Sequence, residues 1–249
     1  MKIVRCFLCA GLLASLFCAG ITFAREGDYV LRDGKAYRVQ QGTSVLLEDC
    51  EPQTANTDKG LWSWILVDPG QSEAMKGSEG GIYFFLGEGK TMAGFLPIKE
   101  EASSCRLYFS PSGEKLLVNW GMEYIQHLSL YFIDSKKGFV KKAAFEVAGP
   151  PFWLDHHRFV FNAINPGKGA RVKDRFDLWW SSVVLYDTVE NEKIVLKEAT
   201  ANKNYSISDY DEASDELELW ESSVKDVKDW EDENKVKDIK IKLPIPAAG

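Results

Sequence analysis

Beyond Arg25 the apolar positions recur with a period of two. Ile239, Ile241 and Leu243 alternate with Lys240 and Lys242, and Leu217 and Leu219 flank Glu218. Side chains at that spacing share one face of a β-strand. Other runs are continuously apolar and rich in β-branched or aromatic residues: Trp62 to Val67, Ile82 to Leu86, Phe159 to Ile164 and Val183 to Tyr186. These predict strands covered on both faces. Phe139 to Val147 has the length of a short helix, but its aromatic and β-branched content favours a strand. No segment carries a convincing amphipathic helical pattern.

Turn chemistry separates the strands. Asp33-Gly34 lies between Tyr29-Val30-Leu31 and Ala36-Tyr37-Arg38-Val39, and both turn residues tolerate positive φ, so a hairpin is predicted within 25–49. The stretches 86–90, 134–138 and 187–191 each follow one apolar strand and precede another. A second series of hairpins interleaves with them, at Tyr108 to Val118, Phe152 to Phe161, and Ile207 to Trp220 around Asp211 to Asp215. Two hairpins per unit of roughly 45 to 55 residues is the arithmetic of a four-stranded propeller blade.

Phe109-Ser110-Pro111-Ser112-Gly113-Glu114-Lys115-Leu116, followed by Leu130-Tyr131-Phe132-Ile133-Asp134 and a Lys-Lys-Gly turn, resembles a blade of the TolB-like and WD40-like β-propellers. Val184-Leu185-Tyr186-Asp187 matches the second half of such a blade again. The resemblance is best in residues 103–148. It implies an all-β, propeller-like array of three to four antiparallel four-stranded sheets, with ring closure left open by so few units. It also implies a scaffold for protein or ligand contacts, and brings no catalytic residues to this chain.

Residues 1–24 read as a cleaved signal peptide, with 25–249 as a single domain. Lys2 and Arg5 precede an apolar run from Cys6 to Ala19, and Thr22-Phe23-Ala24 offers small residues for a signal peptidase. The run is too short for a permanent transmembrane helix, and no later stretch is long and apolar enough. The expected destination is periplasmic or secreted. Cleavage would remove Cys6, Cys9 and Cys18 and leave Cys50 and Cys105. A pair in an oxidising compartment reads as one disulfide, stabilising by about 4 kcal/mol on the chain-entropy model. The formal charge of −7 becomes −9 without Lys2 and Arg5. Such acidity argues against nucleic acid or anionic lipid as the main partner.

Candidate chemistry is sparse. Asp155-His156-His157-Arg158 spells the signature of the DHH phosphoesterases, so a metal-dependent hydrolase is one alternative. The repeat register instead puts these residues in a tight turn between two strands, and adjacent histidines on a strand would point to opposite faces. His127, the remaining histidine, would have to complete any three-His zinc site. Gly89-Lys90-Thr91 ends like a phosphate-binding loop but lacks its first glycine and its helix. Gly70 to Ala74 misses the nucleophile elbow by its last glycine. Asp209, Asp211, Asp215 and Glu216 suggest a second alternative, a calcium-stabilised envelope protein, although they lack the EF-hand spacing. The stretch Lys225 to Asp238 reads as an exposed loop punctuated by Trp230. Trp179 and Trp180 are adjacent on a strand, so one of them should face outward unless both faces are covered. An outward ring could stack on a sugar or a protein, the alternative being burial between blades. The favoured expectation is an exported, non-catalytic binding or scaffold module without a cofactor. Its partner would be a protein or a glycan, with Trp179, Trp180, His156 and His157 as candidate contacts.

Overall fold

Short turns, of two residues at 33–34, 41–42 and 58–59, fold the chain into successive antiparallel meanders. The computed structural model describes residues 28–48, 50–68, 70, 75–76, 78–87, 92–97, 105–121, 126–170 and 178–246, without the side chains of 165–170 and 178–179. The leader read at 1–24, with Cys6, Cys9 and Cys18, lies outside the described residues, as do Gly89-Lys90-Thr91 and 71–74.

Unit 1 is a three-stranded sheet of β1 (Tyr29–Arg32), β2 (Lys35–Gln40) and β3 (Thr43–Leu46). Asp33 and Gly34 have φ of 51° and 71°, as a primed hairpin turn requires. Gln41 and Gly42 make a second turn of this kind, at 50° and 74°, so the predicted hairpin gains a third strand. Unit 2 contains β4 (Gln53–Thr57), β5 (Gly60–Val67), β6 (Gly81–Leu86) and β7 (Met92–Pro97) in sequence order. Unit 3 contains β8 (Cys105–Phe109), β9 (Lys115–Trp120), β10 (Gln126–Asp134) and β11 (Gly138–Val147). Unit 4 contains β12 (Phe152–Trp153), β13 (Arg158–Ala170), β14 (Leu178–Asp187) and β15 (Glu192–Lys197). The pair Val147–Ala163 fuses units 3 and 4 into one eight-stranded sheet. Unit 5 is the three-stranded sheet of β16 (Lys203–Asp211), β17 (Glu216–Ser223) and β18 (Lys237–Pro244). The chain is thus all-β, a propeller-like array of antiparallel sheets.

Alternation along each strand decides what lies between units. On β5, Trp62 and Trp64 point toward unit 3, where they meet Leu116, Val118 and Tyr131, whereas Ile65 and Val67 point toward unit 1, where they meet Tyr29, Leu31 and Ala36. On β13, Phe159 and Phe161 join Leu117, Leu128, Leu130 and Phe145 between units 3 and 4. Val160, on the opposite face, joins Tyr205, Ile207, Leu217 and Leu219 between units 4 and 5. Four cores therefore separate five units, and among the described residues none joins unit 1 to unit 5. The array is open.

Buried amides stitch neighbours together where the ladders stop. Asn162 donates from Nδ2 to the Tyr205 carbonyl at 2.9 Å, and its Oδ1 accepts from the Ile207 N–H at 2.8 Å. This side chain meets backbone groups that would otherwise be buried without partners. The outer face of unit 5 is polar. Lys240 and Lys242 pair with Glu218 and Glu216 at 2.5 and 3.1 Å, and Trp220, 42% exposed, lies with Lys240 5.9 Å from its ring centroid.

Candidate functional site

The β4–β5, β8–β9, β12–β13, β14–β15 and β16–β17 hairpins bring their turns to one end of the array, and there successive units touch. The N–H of Asp58, in the β4–β5 turn, donates to the Pro111 carbonyl in the β8–β9 turn at 2.9 Å. Lys59 pairs with Glu114 at 3.2 Å. His156, in the β12–β13 turn, places Nδ1 3.7 Å from Asp58 Oδ2, with both side chains at least half exposed. The N–H of Thr188 donates to the His157 carbonyl at 2.9 Å. Arg158 Nη1 reaches the Pro246 carbonyl at 2.7 Å, and the N–H of Ile245 donates to the Asp215 carbonyl at 3.1 Å. These contacts tie units 2 to 5 into a continuous rim.

Lys115 is the pivot of that rim. It opens β9, is 6% exposed, and donates from Nζ to the His156 carbonyl at 2.7 Å. The same ammonium lies 3.1 Å from His157 Nδ1 and 5.5 Å from the Phe132 ring centroid. Its three hydrogens thus have a carbonyl, an imidazole and an aromatic face before them. Burial lowers the Lys115 pKa, with Glu114, Asp155 and Asp187 acting against that shift. In the sequence this lysine stands out only as part of the Phe109 to Leu116 stretch.

Asp155 is consumed by its own turn. Its Oδ1 accepts from the N–H groups of His157 and Arg158 at 2.6 and 2.8 Å, and its Oδ2 accepts from Arg158 Nε at 2.6 Å. Burial alone would raise the carboxyl; the Arg158 guanidinium and the two backbone donors outweigh it and hold it below its ordinary range. The Asp155 to Arg158 string is therefore an Asx-type turn leading into β13. The rings of His156 and His157 are 6.3 Å apart and tilted by 58°, one beside Asp58 and the other beside Lys115. His127 sits near the far end of β10, about 20 Å of strand from the turn end. Among the described residues no three His, Cys, Asp or Glu side chains gather as a metal-ligand group.

The acidic turn of unit 5 is similarly engaged. Asp211 accepts from the Ala213 N–H and the Ser214 hydroxyl at 3.0 and 2.9 Å, and the Ser214 bond leads in lowering its pKa. Asp215 accepts from the Tyr210 hydroxyl at 2.9 Å, and Asp209 accepts from the Tyr210 N–H at 2.8 Å.

The tryptophan pair is divided. Trp180 is buried and packs against Trp230, ring centroids 6.0 Å apart, so it offers no open face to a partner. The Trp179 side chain lies outside the described residues, as do Arg175 and Asp177. Trp230 is not a loose punctuation mark in a loop. Its segment forms two 3₁₀ turns, Val227–Glu231 and Glu233–Lys235, the first opened by an Asp226–Asp229 capping box, and its Nε1 donates to the Ala201 carbonyl at 2.9 Å. Among the described tryptophans the exposed one is Trp220, which the alternation of Leu217 and Leu219 inward already places outward.

At the opposite end, a pocket of about 160 Å³ opens between units 2 and 3. Trp64, Leu66, Ile82 and Leu107 line it with Glu51, Gln53 and the two cysteines, Cys50 and Cys105, which are free thiols in this structure. Burial pushes the Cys50 thiol up to about 11 and the Cys105 thiol up to about 12.

No family model matches the chain, and no curated protein matches it. Among solved structures, the chain is similar to hydrazine synthase from Kuenenia stuttgartiensis at 14% identity and a TM-score of 0.43. The match covers 90% of this chain, which spans 62% of that protein's chain.

Proposed function

We propose that this chain is an exported, non-catalytic binding or scaffold module that holds a protein or glycan partner on its turn rim. The observation that carries the reading is a set of open polar side chains, Asp58, Lys59, Glu114 and His156, on turns fixed to one another across units. A partner meeting such a rim finds polar groups already ordered, which lowers the entropic cost of association. The resemblance of residues 103–148 to TolB-like and WD40-like blades supports a scaffold role, and the leader-like residues 1–24 support export to the periplasm or beyond the cell.

The test compares the mature chain with a Lys59→Ala/Glu114→Ala/His156→Ala variant in capture from the source envelope fraction. All three positions are at the surface, so the variant should keep its circular dichroism and melt within about 3 °C of the parent. The captured partner should be lost. Equal capture by both proteins would overturn the reading, as would stoichiometric metal in the purified chain accompanied by phosphoester hydrolysis.

A further inference from the structure

Units 2 and 3 are held together unevenly. Their shared core is aromatic, with Trp62 stacked on Phe109 at 5.1 Å and Phe84 against Phe139 at 4.3 Å, and the turn end adds the Asp58–Pro111 bond and the Lys59–Glu114 pair. At the opposite end the same interface opens into the pocket. Cys50 stands three residues before β4, and Cys105 is the first residue of β8. The two thiols thus occupy the same end of successive first strands, one repeat apart. Cys50 is fixed by its N–H to the Leu47 carbonyl at 3.2 Å and its Sγ to the Leu66 carbonyl at 3.4 Å.

We propose that this pocket is a reversible redox site, in which Cys50 and Cys105 form a disulfide that closes the pocket and clamps units 2 and 3, and reopens on reduction. One thiolate attacks a sulfur of a low-molecular-weight disulfide or a disulfide oxidoreductase, forming a mixed disulfide and expelling one donor thiolate. The second thiolate attacks the protein sulfur of that mixed disulfide, completing the Cys50–Cys105 bond and expelling the second donor thiolate. The two cysteine protons go to the expelled thiolates, so the protein dithiol is oxidised by two electrons and the donor disulfide is reduced to two thiols; excess free thiol or dithiol runs the same exchange in reverse and reopens the bond. Because burial keeps both groups as thiols near neutrality, exchange accelerates as the pH becomes alkaline.

The test treats the mature chain with oxidised glutathione at mildly alkaline pH, blocks residual thiols with iodoacetamide, and maps the peptides by mass. A single intramolecular Cys50–Cys105 cross-link, two hydrogen masses lighter than the dithiol, is expected. It should raise the melting temperature by about 10 °C, and dithiothreitol should reverse both changes. Cys50→Ser and Cys105→Ser should each take up one glutathione and melt without that rise. Two alkylated cysteines, two separate glutathione adducts, or a disulfide-linked dimer in the parent chain would overturn the proposal.

Discussion

Asp155 does the work of a turn with a charge that invites a catalytic reading, and the two roles predict different behaviour on substitution. Replacing it with alanine orphans two backbone donors and the Arg158 guanidinium together. Asparagine at the same position keeps an acceptor for the donors and loses only the ionic bond. Asp155→Ala should therefore cost about 2–3 kcal/mol and Asp155→Asn about 1 kcal/mol, read from urea melts at neutral pH. The carboxyl is held below its usual 3.8 in the folded chain, so its contribution is present above that value and fades as the pH falls through the lower, folded value. The gap between the parent and Asp155→Ala should accordingly be constant near neutrality and shrink in strong acid. A gap that widened in acid would contradict the assignment.

Glycine in the β8–β9 turn joins the residue to the element. Gly113 has φ of 69°, and a Cβ there would overlap Thr57 Oγ1 from the neighbouring unit and stand 3.0 Å from Trp62 Nε1. Gly138, the first residue of β11, has almost the same φ of 71° but nothing within 4 Å. Gly138→Ala should cost about 1 kcal/mol of backbone strain, and Gly113→Ala should cost that plus a clash across the unit boundary, about 3 kcal/mol in all. Equal melting points for the two variants would show that the rim is looser than its contacts imply. The strands themselves were legible because alternation and turn residues are local signals. Ile239 to Leu243 falls within β18, Phe139 to Val147 within β11, and Asp33-Gly34 forms its hairpin. What escaped were elements defined by their neighbours. Gln53 to Thr57 carries no apolar alternation and becomes β4 by pairing with β5, and Gln41-Gly42 turns without a standard turn residue at its first position. Lys115 escaped for the same reason, since its partners are 41 and 42 residues away.

At the scale of the molecule, five units and four cores in a row predict how damage spreads. Among the described residues each unit shares a hydrophobic core only with its neighbours, so stability is closer to a sum of unit and interface contributions than to one indivisible quantity. Phe161 tests this. It is buried between units 3 and 4, with ring centroids 4.8 Å from Phe145 and 5.6 Å from Phe159. Phe161→Ala removes that packing and should cost about 3–5 kcal/mol at the interface it occupies. In a closed ring the loss would be shared round the circle, because every unit would have two neighbours to hold it. In an open array it should stay local. Hydrogen exchange followed by peptide mass analysis should show faster exchange in β8–β11 and β13–β14, with β1–β3 and β16–β18 close to the parent rates. Faster exchange spread evenly over all five units would mean that the array opens as one body, and the open, neighbour-by-neighbour architecture would then fail as a description of its energetics.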